Sequence, residues 1–461
     1  MKLEFFYDIV CPYAYIASVR LSALRVKVGE SDVEFTPVLL GGIYDQTKAP
    51  QGKAGSATDA QPKQKSVILK QDFERTLATH KIPLVWNKKH PVRTLDALRA
   101  LTSVTNQSDR KRLTHALFKA YWVNGLDVSQ KAVILNVAKS VNVALKEECW
   151  NDKQVSTALH EATTRVVELG APGVPFFYLP QTISGEPACY WGGDRLVFVE
   201  SHLRSLQFKE TNPSSTSLPP PFPQLRLAPS SSFPLKKERN LIFFWDFSSP
   251  WSYLGFNVVK DRLQPLCGPN LKITHVPIVI GGIFNELGSG NILSLPPQKQ
   301  RYGVKDMQDW IHHWNALPLE HTSQPPHPTT LLWPDRFPIR SVTASRVAIL
   351  YPETTTCLFD ASWRFNEDVS DANGVEHVLV EEGYGDDEAA DMVAKATSDS
   401  AVKQALWENM AWAKRCGVFG VPSFVVCEFG VVWGQDRVMD VVADLLAGVK
   451  VVDGKKGASR L

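Results

Sequence analysis

Residues 241–259 read LIFFWDFSSPWSYLGFNVV, and residues 3–21 read LEFFYDIVCPYAYIASVRL. Each opens on an apolar and aromatic run of strand length. Each then passes through Asp to a Ser-Pro or Cys-Pro step and continues with apolar residues at helical spacing. Asp246 answers Asp8, and Ser249 answers Cys11. A residue at such a strand-to-helix turn faces backbone N–H groups that have no partner inside the helix, at the positive end of its dipole. A thiolate is favoured there, with a pKa below the free value of about 8.5. A serine cannot be the thiolate, but its hydroxyl can donate to the sulfur of a bound thiol.

The likeness does not stop at this stretch. In the same order, FTPVLLGGIY (35–44) is echoed by HVPIVIGGIF (275–284), and HPVRTLDALRAL (90–101) by FPIRSVTASRVAIL (337–350). LFKAYWVNGLDVS (117–129) is echoed by LFDASWRFNEDVS (358–370), GAPGVPFFYL (170–179) by GVFGVPSFVV (417–426), and YWGGDRLV (190–197) by VWGQDRVM (432–439). Ordered self-similarity over this length means a tandem duplication. The expected division is a domain over 1–208, a linker over 209–237, a second domain over 238–450 and a polar tail over 451–461. The linker, KETNPSSTSLPPPFPQLRLAPSSSFPLKK, is dense in Pro and Ser and lacks periodicity. Phe222, Leu225, Leu227 and Phe233 give it apolar handles for packing along a surface.

Within each repeat the pattern is α/β. A buried strand, a helix and a second strand come first. A helical stretch follows, at about 60–165 in the first copy, with TLDALRALTSV, LTHALFKAYWV, KAVILNVAKSV and STALHEATTRVVELG. Two strands, at PFFYL and ACYWGG, and a closing helix complete it.

Composition bounds the rest. The chain has 461 residues, too many for one core, and a net charge of +2 with no long basic run, so nucleic-acid binding gains no support. No segment reaches the roughly 18 apolar residues of a membrane span. The N-terminal MKLEFFYDIV reads as a strand and not as a signal peptide. Seven cysteines, odd in number and without tight metal spacing, suggest free thiols in a reducing compartment. His312 and His313 read as an exposed pair; no third ligand accompanies them, and no metal is expected. The chain ends in Ser459-Arg460-Leu461, a variant of the Ser-Lys-Leu address, so a peroxisomal or cytoplasmic location is expected.

Taken together, the D-x-x-[SC]-P-x-[SA]-Y turn, the helical insertion, G-V-P-[SF]-F and W-G-x-D-R resemble the DsbA-like thioredoxin superfamily. They are most similar to its branch of 2-hydroxychromene-2-carboxylate isomerases and kappa-class glutathione transferases. The resemblance covers both repeats. It implies two tandem thioredoxin-like domains, each with an inserted α-helical subdomain, arranged as an internal pseudo-dimer that can serve as a monomer. Dithiol members carry a second cysteine where this chain has Ala14 and Ser252, so a dithiol mechanism is closed to it.

The resemblance also implies a glutathione site. In it a Ser or Cys holds the cosubstrate sulfur, the backbone before a cis proline pairs with the peptide, and the last motif meets the γ-glutamyl group. By position this nominates Ser249, Val421, Pro422, Gln435 and Asp436 in the second repeat, with Asn291, Lys299 and Trp310 from GNILSLPPQKQRYGVKDMQDW (290–310). In the first repeat it nominates Cys11, Val174, Pro175, Gly193 and Asp194. There Lys63 and Lys65 are kept while the aromatic pattern is lost. Asp8 and Asp246 read as structural, and Trp310 and Trp314 also suit a core. The expected activity is glutathione-dependent isomerisation or conjugation of an electrophilic small molecule. The alternatives are a monothiol, glutathione-linked oxidoreductase using Cys11 and a non-catalytic binding protein.

Overall fold

In the first repeat, strand β1 (Leu3–Tyr7) pairs in parallel with β2 (Val33–Pro37) and antiparallel with β3 (Phe176–Leu179). β3 pairs antiparallel with β4 (Ala188–Trp191), giving the order β2-β1-β3-β4. These coordinates are a computed structural model that describes residues 1–27, 29, 32–52, 61–320, 328–426 and 429–449. β1 is central and all five of its residues are buried, as a continuous apolar run requires. Its one acid, Glu4, is held by two bonds from Arg165, at 2.7 and 2.8 Å, and by the Thr36 hydroxyl. Helix α1 (Pro12–Leu21) starts directly after Cys11, with Pro12 where a missing N–H costs nothing. The helical insertion comprises α2 (Lys63–Thr79) and the helices Leu95–Ser103, Gln107–Trp122, Lys131–Ser140 and Lys153–Glu168.

The second repeat builds the same sheet, in the order β6-β5-β7-β8, from β5 (Arg239–Trp245), β6 (Leu271–Pro277), β7 (Ser423–Val426) and β8 (Val431–Trp433). Helix α3 (Pro250–Val258) follows Ser249. Helix α4 (Pro297–Ala316) opens the insertion.

The two compact units depart from the sequence repeat at two segments. Unit 1 contains Met1–Gln61, Thr76–Pro223 and Leu295–Asp306. Unit 2 contains Pro62–Arg75, Gln224–Ser294 and Met307 onward. The first part of α2 therefore belongs to unit 2, and the first part of α4 to unit 1. Within unit 2, Ile68 joins an apolar cluster with Phe244, Ile278, Phe419 and Val421. Asp72 accepts two bonds from Arg437, both 3.1 Å. Within unit 1, Asp306 accepts two bonds from Arg195, at 2.6 and 2.7 Å, and Gln298 donates to the Val167 carbonyl. Sequence periodicity shows that these helices have an apolar face, but not which core receives it.

The linker is more ordered than its composition suggests. Phe233 and Leu235 are buried in unit 2, where the Asp444 carboxylate accepts from the N–H groups of Leu227 and Ala228. Phe222 lies under the Arg25 and Arg204 guanidiniums of unit 1, while Leu225 and Leu227 stay exposed. The tail with Ser459-Arg460-Leu461 lies outside the described residues, as does Cys427. No helix among the described residues is long and apolar enough to cross a membrane, and their six cysteines are free thiols.

Candidate functional site

The buried side chain of Ser249 caps α3. Its Oγ accepts from the Ser252 N–H at 3.1 Å and lies 3.5 Å from the Val421 carbonyl, to which it donates. The second of these bonds is at the edge of hydrogen-bond range. Ser252 occupies the place of a second thiol, and its hydroxyl accepts from the Asp246 N–H. The turn is held from below. Asp246 is fully buried and accepts from the N–H groups of Ile280 and Ser248, at 2.7 and 2.9 Å. Trp363 Nε1 donates to the Phe247 carbonyl at 2.7 Å. These contacts explain why the Asp and the Trp of LFKAYW and LFDASW recur with the site motifs.

The Val421–Pro422 bond is cis, as is Val174–Pro175. A Cβ on Gly255 would stand 2.9 Å from Pro422 Cγ, so α3 meets the proline where only glycine fits. A Cβ on Gly420 would meet Trp433 Nε1 at 2.8 Å, so the indole lies directly over the backbone preceding Val421. Phe419 packs on that indole, with ring centroids 4.7 Å apart. Lys65 Nζ stands 5.8 Å from the centroids of both rings, within cation–π range.

The last motif contributes mainly to the wall. Gln435 is buried, and its Oε1 accepts from Trp314 Nε1 at 2.6 Å. The half-buried Asp436 pairs with Arg437 at 3.2 Å, and Arg437 is held in turn by Asp72.

The same frame in unit 1 has different chemistry. Cys11 Sγ donates to the Val174 carbonyl at 3.3 Å. Burial pushes its thiol up to about 12, against the smaller opposing pull of the Ala14 and Tyr13 N–H groups. This corrects the expectation of a helix-stabilised thiolate: desolvation of the charged form outweighs the helix terminus. Asp8 is held by the Leu40 N–H and by the hydroxyl of Thr94. Gly193 offers no side chain, and its carbonyl accepts from Arg20. Asp194 pairs with Arg195, which Asp306 also holds.

Three further expectations change. Lys299, expected beside Ser249, belongs to unit 1, with Nζ 5.9 Å from the Trp191 ring. It follows the first part of α4, which the Arg195–Asp306 pair and the Tyr302 phenol, bonded to the Trp191 backbone, fix in that unit. Trp310, expected to touch ligand, has no exposed surface and stacks on Trp314. His313 is buried edge-on against Trp310 and Trp314, so only His312 of the pair is exposed. Asn291 spends its side-chain oxygen on the Leu293 N–H of its own turn.

Lys65 and Asp72 were the contributors to unit 2 that reading the repeats separately did not supply. A signal existed: Lys65 precedes Asp72 by the same interval that separates Lys299 from Asp306, and each repeat has an Asp-Arg pair after its Trp-Gly.

Two four-stranded sheets, each with a helix starting at a Cys or Ser and a Val–Pro step opposite it, define a tandem thioredoxin-like protein. A family model described as "DSBA-like thioredoxin domain" matches residues 2–204 and again 240–447, and the chain belongs to that family, with the domain present twice. Its relatives include glutathione S-transferase kappa 1 of Caenorhabditis elegans, 24% identical over 218 residues, which are 45% of this chain and 92% of the relative. Glutathione S-transferase kappa 1 of Homo sapiens is 28% identical over 215 residues, 45% of this chain and 91% of the relative. The 2-hydroxychromene-2-carboxylate isomerase of Sphingobium xenophagum is 24% identical over 204 residues, 44% of this chain and 97% of the relative. A solved structure of a 2-hydroxychromene-2-carboxylate isomerase aligns with 47% of this chain and 100% of its own, at 20% identity and a TM-score of 0.39.

Proposed function

We propose that unit 2 binds glutathione at Ser249 and uses its thiolate on an electrophilic small molecule. The observation that carries this reading is the Ser249 hydroxyl. It sits at a helix N-terminus, polarised by the Ser252 N–H, and its own proton is committed only to a long contact with Val421. An anionic sulfur is a better acceptor than that carbonyl, so the hydroxyl can turn to it. The helix terminus adds positive potential at the same point. Lowering a thiol pKa by about two units takes about 2.7 kcal/mol, within reach of these two effects together. The absence of a second thiol at Ser252 removes the disulfide alternative and leaves a site that holds sulfur without oxidising it.

Glutathione supplies the nucleophile. Its thiolate forms a C–S bond to an electron-poor alkene carbon, and the alkene electron pair moves onto the withdrawing group. Rotation and departure of the thiolate give an isomer and restore glutathione; protonation of the adduct gives a conjugate. The chain's part is common to both outcomes: Ser249 holds the sulfur, and the Gly420–Pro422 backbone lies alongside as a peptide-binding edge.

Turnover tests this. With glutathione present, the chain is assayed on a 2-hydroxychromene-2-carboxylate and on an activated aryl halide. Activity that depends on glutathione, falls at least about tenfold in Ser249→Ala and persists in Cys11→Ala is the expected result. Equal activity in wild type and Ser249→Ala would contradict it.

A further inference from the structure

We infer that the cation serving the Ser249 site is Lys65, supplied by the first repeat, and not Lys299 of the second. The inference rests on the glutathione reading and names the residue that meets an anionic group of that thiol peptide.

The argument is geometric. Pro62–Arg75 is part of unit 2. It is fixed there at several points: Ile68 lies in the apolar core with Phe244 and Val421, Asp72 accepts two bonds from Arg437, and Arg75 donates to the Phe429 carbonyl at 3.0 Å. One of those anchors, Arg437, directly follows Asp436 of the last motif. Lys65 lies two turns before Asp72 on the same helix, which sets its ammonium over Phe419 and Trp433, 5.8 Å from each ring. Those rings flank Gly420, and the next residue, Val421, carries the carbonyl that faces Ser249. A peptide laid along this backbone with its sulfur at Ser249 carries carboxylates, for which a half-buried ammonium on an aromatic shelf is a matched partner.

Unit 1 shows the mirrored assignment. Lys299 is 5.9 Å from the Trp191 ring, behind an Asp306–Arg195 pair. Each unit therefore takes its lysine and its anchoring aspartate from the segment that the repeat would assign to the other. A single half of the sequence does not encode a complete site.

The test uses the full chain. Glutathione binding is titrated through the thiolate absorbance that Ser249→Ala removes, in wild type, Lys65→Gln, Lys65→Arg and Lys299→Gln. Circular dichroism and melting temperature verify folding. The inference expects binding about tenfold weaker in Lys65→Gln, largely restored in Lys65→Arg, with a smaller salt dependence in the Gln variant. It expects wild-type affinity in Lys299→Gln. Weakening confined to Lys299→Gln, or an unchanged affinity in folded Lys65→Gln, overturns the inference while leaving the glutathione reading intact. No binding in wild type overturns both.

Discussion

Ser249 Oγ lies 3.5 Å from the carbonyl oxygen of Val421, 172 residues further along the chain. In the first repeat the matching contact, Cys11 Sγ to Val174 O at 3.3 Å, spans 163 residues. One backbone frame thus carries two chemistries. A hydroxyl keeps its proton and can share it with a bound sulfur. A buried thiol keeps its proton and shares it with a carbonyl.

Cys11 should be a poor nucleophile near neutral pH. Its pKa is pushed up to about 12 by burial, so the thiol is protonated throughout the physiological range and the thiolate appears only as the pH approaches that value. Alkylation by iodoacetamide at pH 8, followed by peptide mass spectrometry, should be at least about a hundredfold slower at Cys11 than at a free cysteine. The 240 nm absorbance difference between wild type and Cys11→Ala should stay flat to about pH 10. A titration step below about pH 8 would show a stabilised thiolate and contradict the account.

Asp246 should be structural. Replacing it by Ala strands the Ile280 and Ser248 N–H groups in the interior. Each unsatisfied group costs about 1–3 kcal/mol. Chemical denaturation should therefore show a loss of about 3 kcal/mol for unit 2, with Asp246→Asn costing less because it still accepts. A loss below about 0.5 kcal/mol would mean that the turn does not depend on this carboxylate.

Asp440 should make stability depend on pH. Burial raises its pKa to about 7; Arg437 opposes the shift, and Asp436 and Asp72 add to it. The folded state then holds a proton that the unfolded chain releases above about pH 4. Native protein binds more protons in that window, so the contribution is fully present at low pH and is lost as pH rises through about 7. Asp440→Asn removes this dependence. Its melting temperature should exceed that of wild type at pH 8 and converge with it near pH 4. A difference that does not change between those pH values would contradict the shift.

The fold was legible because the strongest signals were ordered. The repeats at 3–21 and 241–259 fix where strand gives way to helix, and Gly-Val-Pro fixes which later strand lies opposite. Ser249 and Val421 were legible for the same reason. Other features depend on packing that a linear pattern does not carry. The repeats align Lys299 with the second copy, but the Arg195–Asp306 pair and Tyr302 hold its segment in unit 1. Nothing in the local sequence of Cys11 shows that its surroundings exclude water. His312 and His313 are neighbours with opposite fates, because adjacent helical positions point about 100° apart and only one of them faces Trp310 and Trp314.

The central claim is that Ser249 holds a glutathione thiolate, and calorimetry at pH 7 combined with absorbance near 240 nm addresses it directly. Wild type and Cys11→Ala should bind glutathione with a matching rise in thiolate absorbance. Ser249→Ala should lose that rise and bind about ten- to a hundredfold more weakly, the usual worth of a hydrogen bond to a charged group, while remaining folded. Binding and absorbance that survive Ser249→Ala and vanish in Cys11→Ala would contradict the account and move the chemistry to the first repeat.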